Sequence, residues 1–343
     1  MIDLPSSISQ ITPAWLSEVF GGEIDSLRVE HLGGGRGFMS EVARLHLESR
    51  DEDIPNSVVI KMPATNSQKL DIAKSFDSYK REAYFYQHIA PSAPIRSPGV
   101  FFNEGTSGKF VLILEDLREL RTVDQIKGAR NPDTLTAIQT LGRLHRGFWG
   151  QSLDTMHGYQ DDIAFVSCDY SKVLPGALEI VELRTETREW LERLVCNYES
   201  VMRAHLEKPC SLIHCDYKLD NLAFSDDGLV VYDWGDVSVG PIGYDVAHFL
   251  VGSLTTSERR SNERVLVREY QKTLGVPGYT QEKAWNDYLC FIPAAFYVAA
   301  LLVSFKEKNI RASQFSSINI LRGAHAIEDH FQSIRELYSD SML

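Results

Sequence analysis

Five cysteines in 343 residues make no Cys-x-x-Cys pair. An odd, scattered set (Cys168, Cys196, Cys210, Cys215 and Cys290) is neither a disulfide framework nor the ligand set of a zinc site, and it fits a reducing compartment. The opening residues, Met1-Ile-Asp-Leu-Pro-Ser-Ser7, lack the basic and apolar regions of a signal peptide, so a cytoplasmic location is expected. Long apolar runs are missing too. The longest nearly uncharged stretch, Cys290 to Phe305, is shorter than the roughly 20 residues that span a bilayer and contains Pro293, so it is expected to be a buried core helix. Positive charge is scarce, with 35 Lys and Arg against 47 Asp and Glu, a net −12 without any basic cluster. That balance disfavours nucleic acid and anionic membrane surfaces as partners. There is no Gly-x-Ser-x-Gly, and His325 and His330 are five apart rather than four, which removes serine-hydrolase and His-Glu-x-x-His metalloprotease readings.

What is present is a chain that folds: 43% hydrophobic and 24% charged residues, with length for two domains or one large bilobal unit. A short helix, about Thr12 to Phe20, precedes three alternating segments, Leu27–Leu32, Glu41–Leu47 and Ser57–Met62, which read as antiparallel strands. A helical pattern over Asp71–Ile89 and strands near Gly99–Asn103 and Lys109–Leu114 complete a small α+β unit, expected to occupy residues 1–115. Residues 116–343 are mostly helical, with three- and four-residue apolar spacing through Leu135–Phe148, Leu174–Val195, Val265–Leu274 and Ala284–Val303. Short strands at Ser211–His214, Leu222–Phe224 and Leu229–Asp233 interrupt them and suggest a small hairpin with polar loops.

Those loops carry the strongest chemical signal, His214-Cys-Asp216-Tyr-Lys218-Leu-Asp-Asn221 and then Asp233-Trp-Gly235. Phosphoryl transfer needs a carboxylate beside the attacking hydroxyl and further oxygen ligands that hold Mg²⁺ against the phosphates. Asp216 and Asn221, five apart on one loop, can face one cavity, and Asp233 follows across the hairpin. In the first unit, Gly35-Arg-Gly37-Phe-Met-Ser40-Glu-Val42 matches Gly-x-Gly-x-x-Gly-x-Val except at Ser40. Val58-Val-Ile-Lys61 ends a strand with a cation after an apolar run, where a buried lysine is costly unless paired. Glu82, on the following helix, is its natural partner. Taken singly, Lys61 and Glu82 read as surface charges; their order with the glycine-rich turn, the Asp216 loop and Asp-x-Gly is what carries the signal.

With these motifs, and with Leu112-Ile-Leu-Glu-Asp-Leu117, Leu141-Gly-Arg-Leu-His145 and Gly240-Pro-Ile-Gly-Tyr-Asp245, the chain resembles the aminoglycoside phosphotransferase and choline-kinase-like (ecdysteroid-kinase-like) families of the protein-kinase-like fold. The resemblance implies an α+β bilobal architecture, a small antiparallel-sheet lobe and a larger helical lobe, and an ATP- and Mg²⁺-dependent kinase. It implies Asp216 as the catalytic carboxylate, with Lys218 offsetting charge on the transferring group, and Asn221 and Asp233 as Mg²⁺ ligands. By the same resemblance Gly35, Gly37 and Ser40 cover the phosphates, Lys61 holds them with Glu82 fixing it, and the backbone of Glu115 and Leu117 meets adenine. His214 is read as tying the loop down. Cys215 departs from the family's usual glycine, as Ser40 does from the third glycine of the loop.

Only eleven residues separate Asp233 from Asp245, without an Ala-Pro-Glu segment, so a small-molecule hydroxyl acceptor is expected rather than a protein. Two acceptor types are weighed. Glu179, Glu182, Glu186 and Glu189, at helical spacing, suit a cation such as an aminoglycoside or choline, or a merely solvated face. Phe291, Phe296, Tyr297 and Phe305 suit an apolar alcohol, or a core. The alternative from another class is a nucleotide-binding pseudokinase or interaction module, against which the presence of all five residues Lys61, Glu82, Asp216, Asn221 and Asp233 weighs. No obligate protein partner is indicated.

Overall fold

A computed structural model describes residues 2–32, 39–106, 109–151, 158–205, 209–304 and 310–338. The chain forms two compact units, Met1–Arg121 with Val230–Asp236, and Thr122–Leu229 with Val237–Leu343. Relative to the division expected after Glu115, the chain crosses at Arg121–Thr122 and returns once, with the segment that carries Asp233.

In the first unit, helix α1 (Pro13–Phe20) starts at Thr12, whose Oγ1 accepts the Trp15 N–H, and Pro13 fits the first turn because its missing N–H would have no partner there. Gly21, at φ 70°, closes it. An antiparallel sheet follows in the order β1-β2-β3-β5-β4, built from β1 (Ile24–His31), β2 (Ser40–Ser49), β3 (Ser57–Pro63), β4 (Val100–Thr106) and β5 (Lys109–Glu115). Alternating Ala43, Leu45 and Leu47 of β2 share one core with Val58 and Ile60 of β3 and Val111 and Ile113 of β5. The alternation fails at the end of β3, the central strand, where Ile60, Lys61 and Met62 are all buried. A cation is thereby enclosed in the middle of the sheet.

The helical pattern over 71–89 resolves into α2 (Ser67–Ser75) and α3 (Ser78–Tyr84), followed by a widened π turn, Phe85–Ile89. Asp77, at φ 52°, separates the two helices, since a left-handed residue cannot lie within a right-handed one. The returning segment is held by Val231, whose N–H donates to the Arg96 carbonyl, and by Trp234, stacked on Phe85 with centroids 3.8 Å apart.

The second unit contains α4 (Asp133–Gly147), α5 (Tyr159–Leu178), α6 (Thr185–Cys196), α7 (Tyr198–His205), β6 (Cys210–Ile213), β7 (Leu222–Ser225), the start of β8 (Gly228–Val231), β9 (Ser238–Pro241), α8 (Ile242–Ser253), α9 (Thr256–Leu274), α10 (Gln281–Ser304) and α11 (Ile310–Leu337). The hairpin is β7–β8, and β8 carries the chain into the returning segment. Strand β6 pairs instead with β9, which the sequence did not announce. Helix α10 contains Pro293, and within its part apolar enough to cross a membrane, Gln281–Val303, the most apolar 18-residue window is 72% buried in the protein, as the core-helix expectation requires. Phe291, Phe296 and Tyr297 are buried on it, and Phe305 lies outside the described residues.

The acidic face expected from four glutamates does not form as one helix. Glu179 and Glu182 fall in the connection between α5 and α6, and Glu186, on α6, pairs with Arg335. The chain turns there because Val181 is buried and Arg184 binds the Glu328 carboxylate with both its backbone and its guanidinium.

Candidate active site

Within the first unit, Lys61 lies between two carboxylates. Its Nζ stands 2.7 Å from Glu82 Oε2 and 2.5 Å from Asp233 Oδ1, with 8% of Lys61 and 1% of Glu82 exposed. Burial alone would drive the Lys61 proton off, but the Asp233 and Glu82 charges outweigh it and hold the ammonium above its ordinary range. Burial pushes the Glu82 carboxyl up, against the pull of Lys61 and of a hydrogen bond from the Trp234 backbone N–H. Asp233 has a left-handed φ of 66° and 36% of its side chain exposed. Strand β3 and helix α3 thus present one fixed positive charge beside a partly open carboxylate.

Ser40 opens β2 opposite Pro63; Gly35 and Gly37 lie outside the described residues. At the expected adenine edge, the Glu115 N–H is already committed to the Gly99 carbonyl and the Leu117 carbonyl to the Leu120 N–H. The expected adenine contacts would then fall to the Glu115 carbonyl and the Leu117 N–H.

In the second unit the loop after β6 is pinned from below. Asp245, fully buried on α8, accepts the backbone N–H groups of His214 at 2.7 Å and Cys215 at 2.9 Å, and meets His145 Nε2 at 3.3 Å. His145 in turn reaches the Tyr270 hydroxyl at 2.6 Å. Tyr217 donates to the Ala137 carbonyl, and the Leu219 N–H to Ser253 Oγ. The His214 ring, wholly buried, accepts the Asp216 N–H. This tight path puts Cys215 at φ 63°, which explains why a glycine would be at home there.

The loop so held displays Asp216. Its Oδ2 receives Lys218 Nζ at 2.6 Å and Asn221 Nδ2 at 2.9 Å; its Oδ1 faces His248 Nε2 at 3.2 Å. Asn221 Nδ2 also donates to the Asp216 carbonyl, which leaves Oδ1 as the Asn221 atom that can ligate a metal. Burial would raise the Asp216 carboxyl, but Lys218 and His248 overrule it and hold the group well below the ordinary carboxylate range. With 20% of its side chain exposed, it remains reachable as a proton acceptor.

Sequence reasoning gave Asp245 and His145 no role beyond family wording, and it passed over His248. His248 lies in an almost continuously apolar helix, so nothing in the local pattern marks it. Among the described residues no three His, Cys, Asp or Glu are placed to hold an ion by themselves. Oxygen donors such as Asp233 and Asn221 suit Mg²⁺, which takes one or two carboxylates and completes its shell with phosphate oxygens and water.

Residues 69–285 match the sequence profile of the phosphotransferase enzyme family. Comparison with curated proteins finds no match. Among solved structures, the choline kinase from Cryptosporidium parvum aligns with a TM-score of 0.59 at 10% identity, covering 97% of this chain and 94% of that one. The choline/ethanolamine kinase family protein from Mesorhizobium loti aligns at 0.53 and 16%, covering 90% and 92%. The GDP complex of wild-type aminoglycoside 2'-phosphotransferase-IIIa aligns at 0.55 and 12%, covering 86% and 93%. At these identities the likeness is one of fold, a protein-kinase-like α+β architecture.

Proposed function

The chain belongs to the phosphotransferase enzyme family, and we propose that it transfers the γ-phosphoryl group of ATP to a hydroxyl of a small molecule. The observation that carries this reading is Asp216, kept ionised by Lys218 and His248 on a loop that Asp245 fixes, yet partly open.

Lys61, locked by Glu82, offers its charge to the α- and β-phosphates. Asp233 and, through its Oδ1, Asn221 are assigned to Mg²⁺ by motif; when bound, Mg²⁺ neutralises charge on the β- and γ-phosphates. Gly35, Gly37 and Ser40 are assigned to the phosphates by motif, and the Glu115 carbonyl and Leu117 N–H to the adenine edge. Asp216 orients the acceptor hydroxyl and takes its proton while the acceptor oxygen bonds to Pγ. The bond from Pγ to the bridging oxygen breaks, and ADP leaves with that electron pair. Lys218 offsets the charge on the group in flight. No covalent phospho-enzyme is needed, because catalysis is positioning plus charge neutralisation. A cytoplasmic setting, where ATP and Mg²⁺ are supplied, belongs to the same reading.

The test is ADP release from Mg·ATP across a panel of alcohols that includes an aminoglycoside, choline and a sterol. Acceptor-dependent release that Asp216→Ala abolishes is the expected result. Wild-type release by Asp216→Ala overturns the assignment.

A further inference from the structure

Three features of His248 are independent of any family motif. It lies on α8, one turn after Asp245, with 8% of the residue exposed, and its Nε2 faces Asp216 Oδ1 at 3.2 Å. Its ring lies parallel to that of Tyr244, with centroids 6.1 Å apart and planes 7° apart. Its other nitrogen, Nδ1, is buried and has no hydrogen-bond partner among the described residues.

The last feature determines the proton's place. A proton on Nδ1 would be a buried donor without an acceptor, which is costly, whereas a bare Nδ1 is a weaker loss. The Nε2 proton, by contrast, points at a carboxylate. Nε2 is therefore the donor of this contact and Asp216 Oδ1 the acceptor.

The consequence follows from how Asp216 is held. Lys218 and Asn221 both act on Oδ2. A carboxylate held at one oxygen can still swing about its Cβ–Cγ bond. A second donor at Oδ1 fixes the carboxylate plane, and with it the lone pair that meets the acceptor's proton. The geometry points to His248 as a positioning residue for the catalytic carboxylate, acting as the donor at Oδ1 and braced by Tyr244. This rests on the phosphotransfer reading for its effect on rate, though not for the contact itself.

Two measurements on the full-length chain test it. In a ¹⁵N-histidine side-chain spectrum near neutral pH, the His248 signal, identified by its loss in His248→Gln, is expected to show a proton on Nε2. A bare Nε2, with the proton on Nδ1, would overturn the proposal. In steady-state turnover of Mg·ATP, read as ADP release with water or an identified alcohol as acceptor, His248→Leu is expected to lower kcat at least tenfold with the KM for Mg·ATP within twofold. His248→Gln, which places an amide nitrogen where Nε2 was, is expected to recover kcat to within about threefold of wild type, an outcome a packing role alone would not give. Wild-type kcat in His248→Leu, or no recovery in His248→Gln, overturns the role. If the wild type neither turns over nor binds Mg·ATP, the phosphotransfer reading has failed, and the spectrum still decides the contact.

Discussion

Asp245 Oδ2 accepts the backbone N–H of His214 at 2.7 Å, across a sequence separation of 31 residues. Its Oδ1 takes the next N–H, that of Cys215, so one carboxylate sets the backbone entering Asp216. Removing it leaves two amides and the His145 ring without their acceptor in a buried place. Asp245→Ala should lower unfolding free energy by about 3 kcal/mol, from roughly 1–3 kcal/mol per buried group left unpaired. It should also depress turnover. Urea unfolding checks the first and ADP release the second; a variant as stable and active as wild type would contradict the clamp.

Lys61→Met leaves Glu82 buried without its cation, a loss of roughly 3–5 kcal/mol where a buried pair is broken from one side. Adding Glu82→Gln to it should restore most of that stability and none of the turnover. Equal urea midpoints for the single and double variants would show that Lys61 and Glu82 are not energetically paired.

Asp216 titrates far below the ordinary carboxylate range, so its ion pair contributes stability that is fully present above about pH 4. That contribution is lost as pH falls through the depressed folded value. The difference in urea midpoint between wild type and Asp216→Asn should hold constant from pH 8 to pH 5 and shrink only below about pH 4. A difference that already fades near pH 6 would mean that Asp216 is not held ionised as described.

Cys215 adopts φ 63°, a conformation that costs L-residues roughly 1–2 kcal/mol. Glycine removes that strain but gains freedom in the unfolded chain, so Cys215→Gly should stay within about 0.5 kcal/mol of wild type. Cys215→Val, β-branched, should lose more than about 1 kcal/mol. Equal loss in both would place the effect in the thiol's contacts and not in the backbone.

The sheet of the first unit was legible because β2 and the first half of β3 alternate and because Phe110–Leu114 of β5 is an unbroken apolar run. The Lys61–Glu82 contact was legible from the order of the motifs, since either residue alone reads as a surface charge. Less could be read where structure depends on distant parts of the chain. Strands β6 and β9 have four residues each, too few to display a period, and they pair across the hairpin. The break at Asp77 and the turn at Glu179–Arg184 answer to tertiary contacts, Arg184 with Glu328 among them. Asp245 and His248 both sit in a helix, Ile242–Ser253, whose other residues are mostly apolar and read as core. Their meaning arises only when that helix is set beneath the Asp216 loop.

The central claim is that this chain binds Mg·ATP through Lys61 and Asp233. Its most direct test is thermal unfolding of wild type and Asp233→Ala with and without Mg·ATP. A ligand bound only by the folded state, present at a hundredfold excess over its Kd, adds about 2.7 kcal/mol of stability and raises the midpoint by several degrees. A rise in wild type that is absent in Asp233→Ala is the predicted result. No rise in wild type with ATP or GTP, or the same rise in both proteins, would contradict the account.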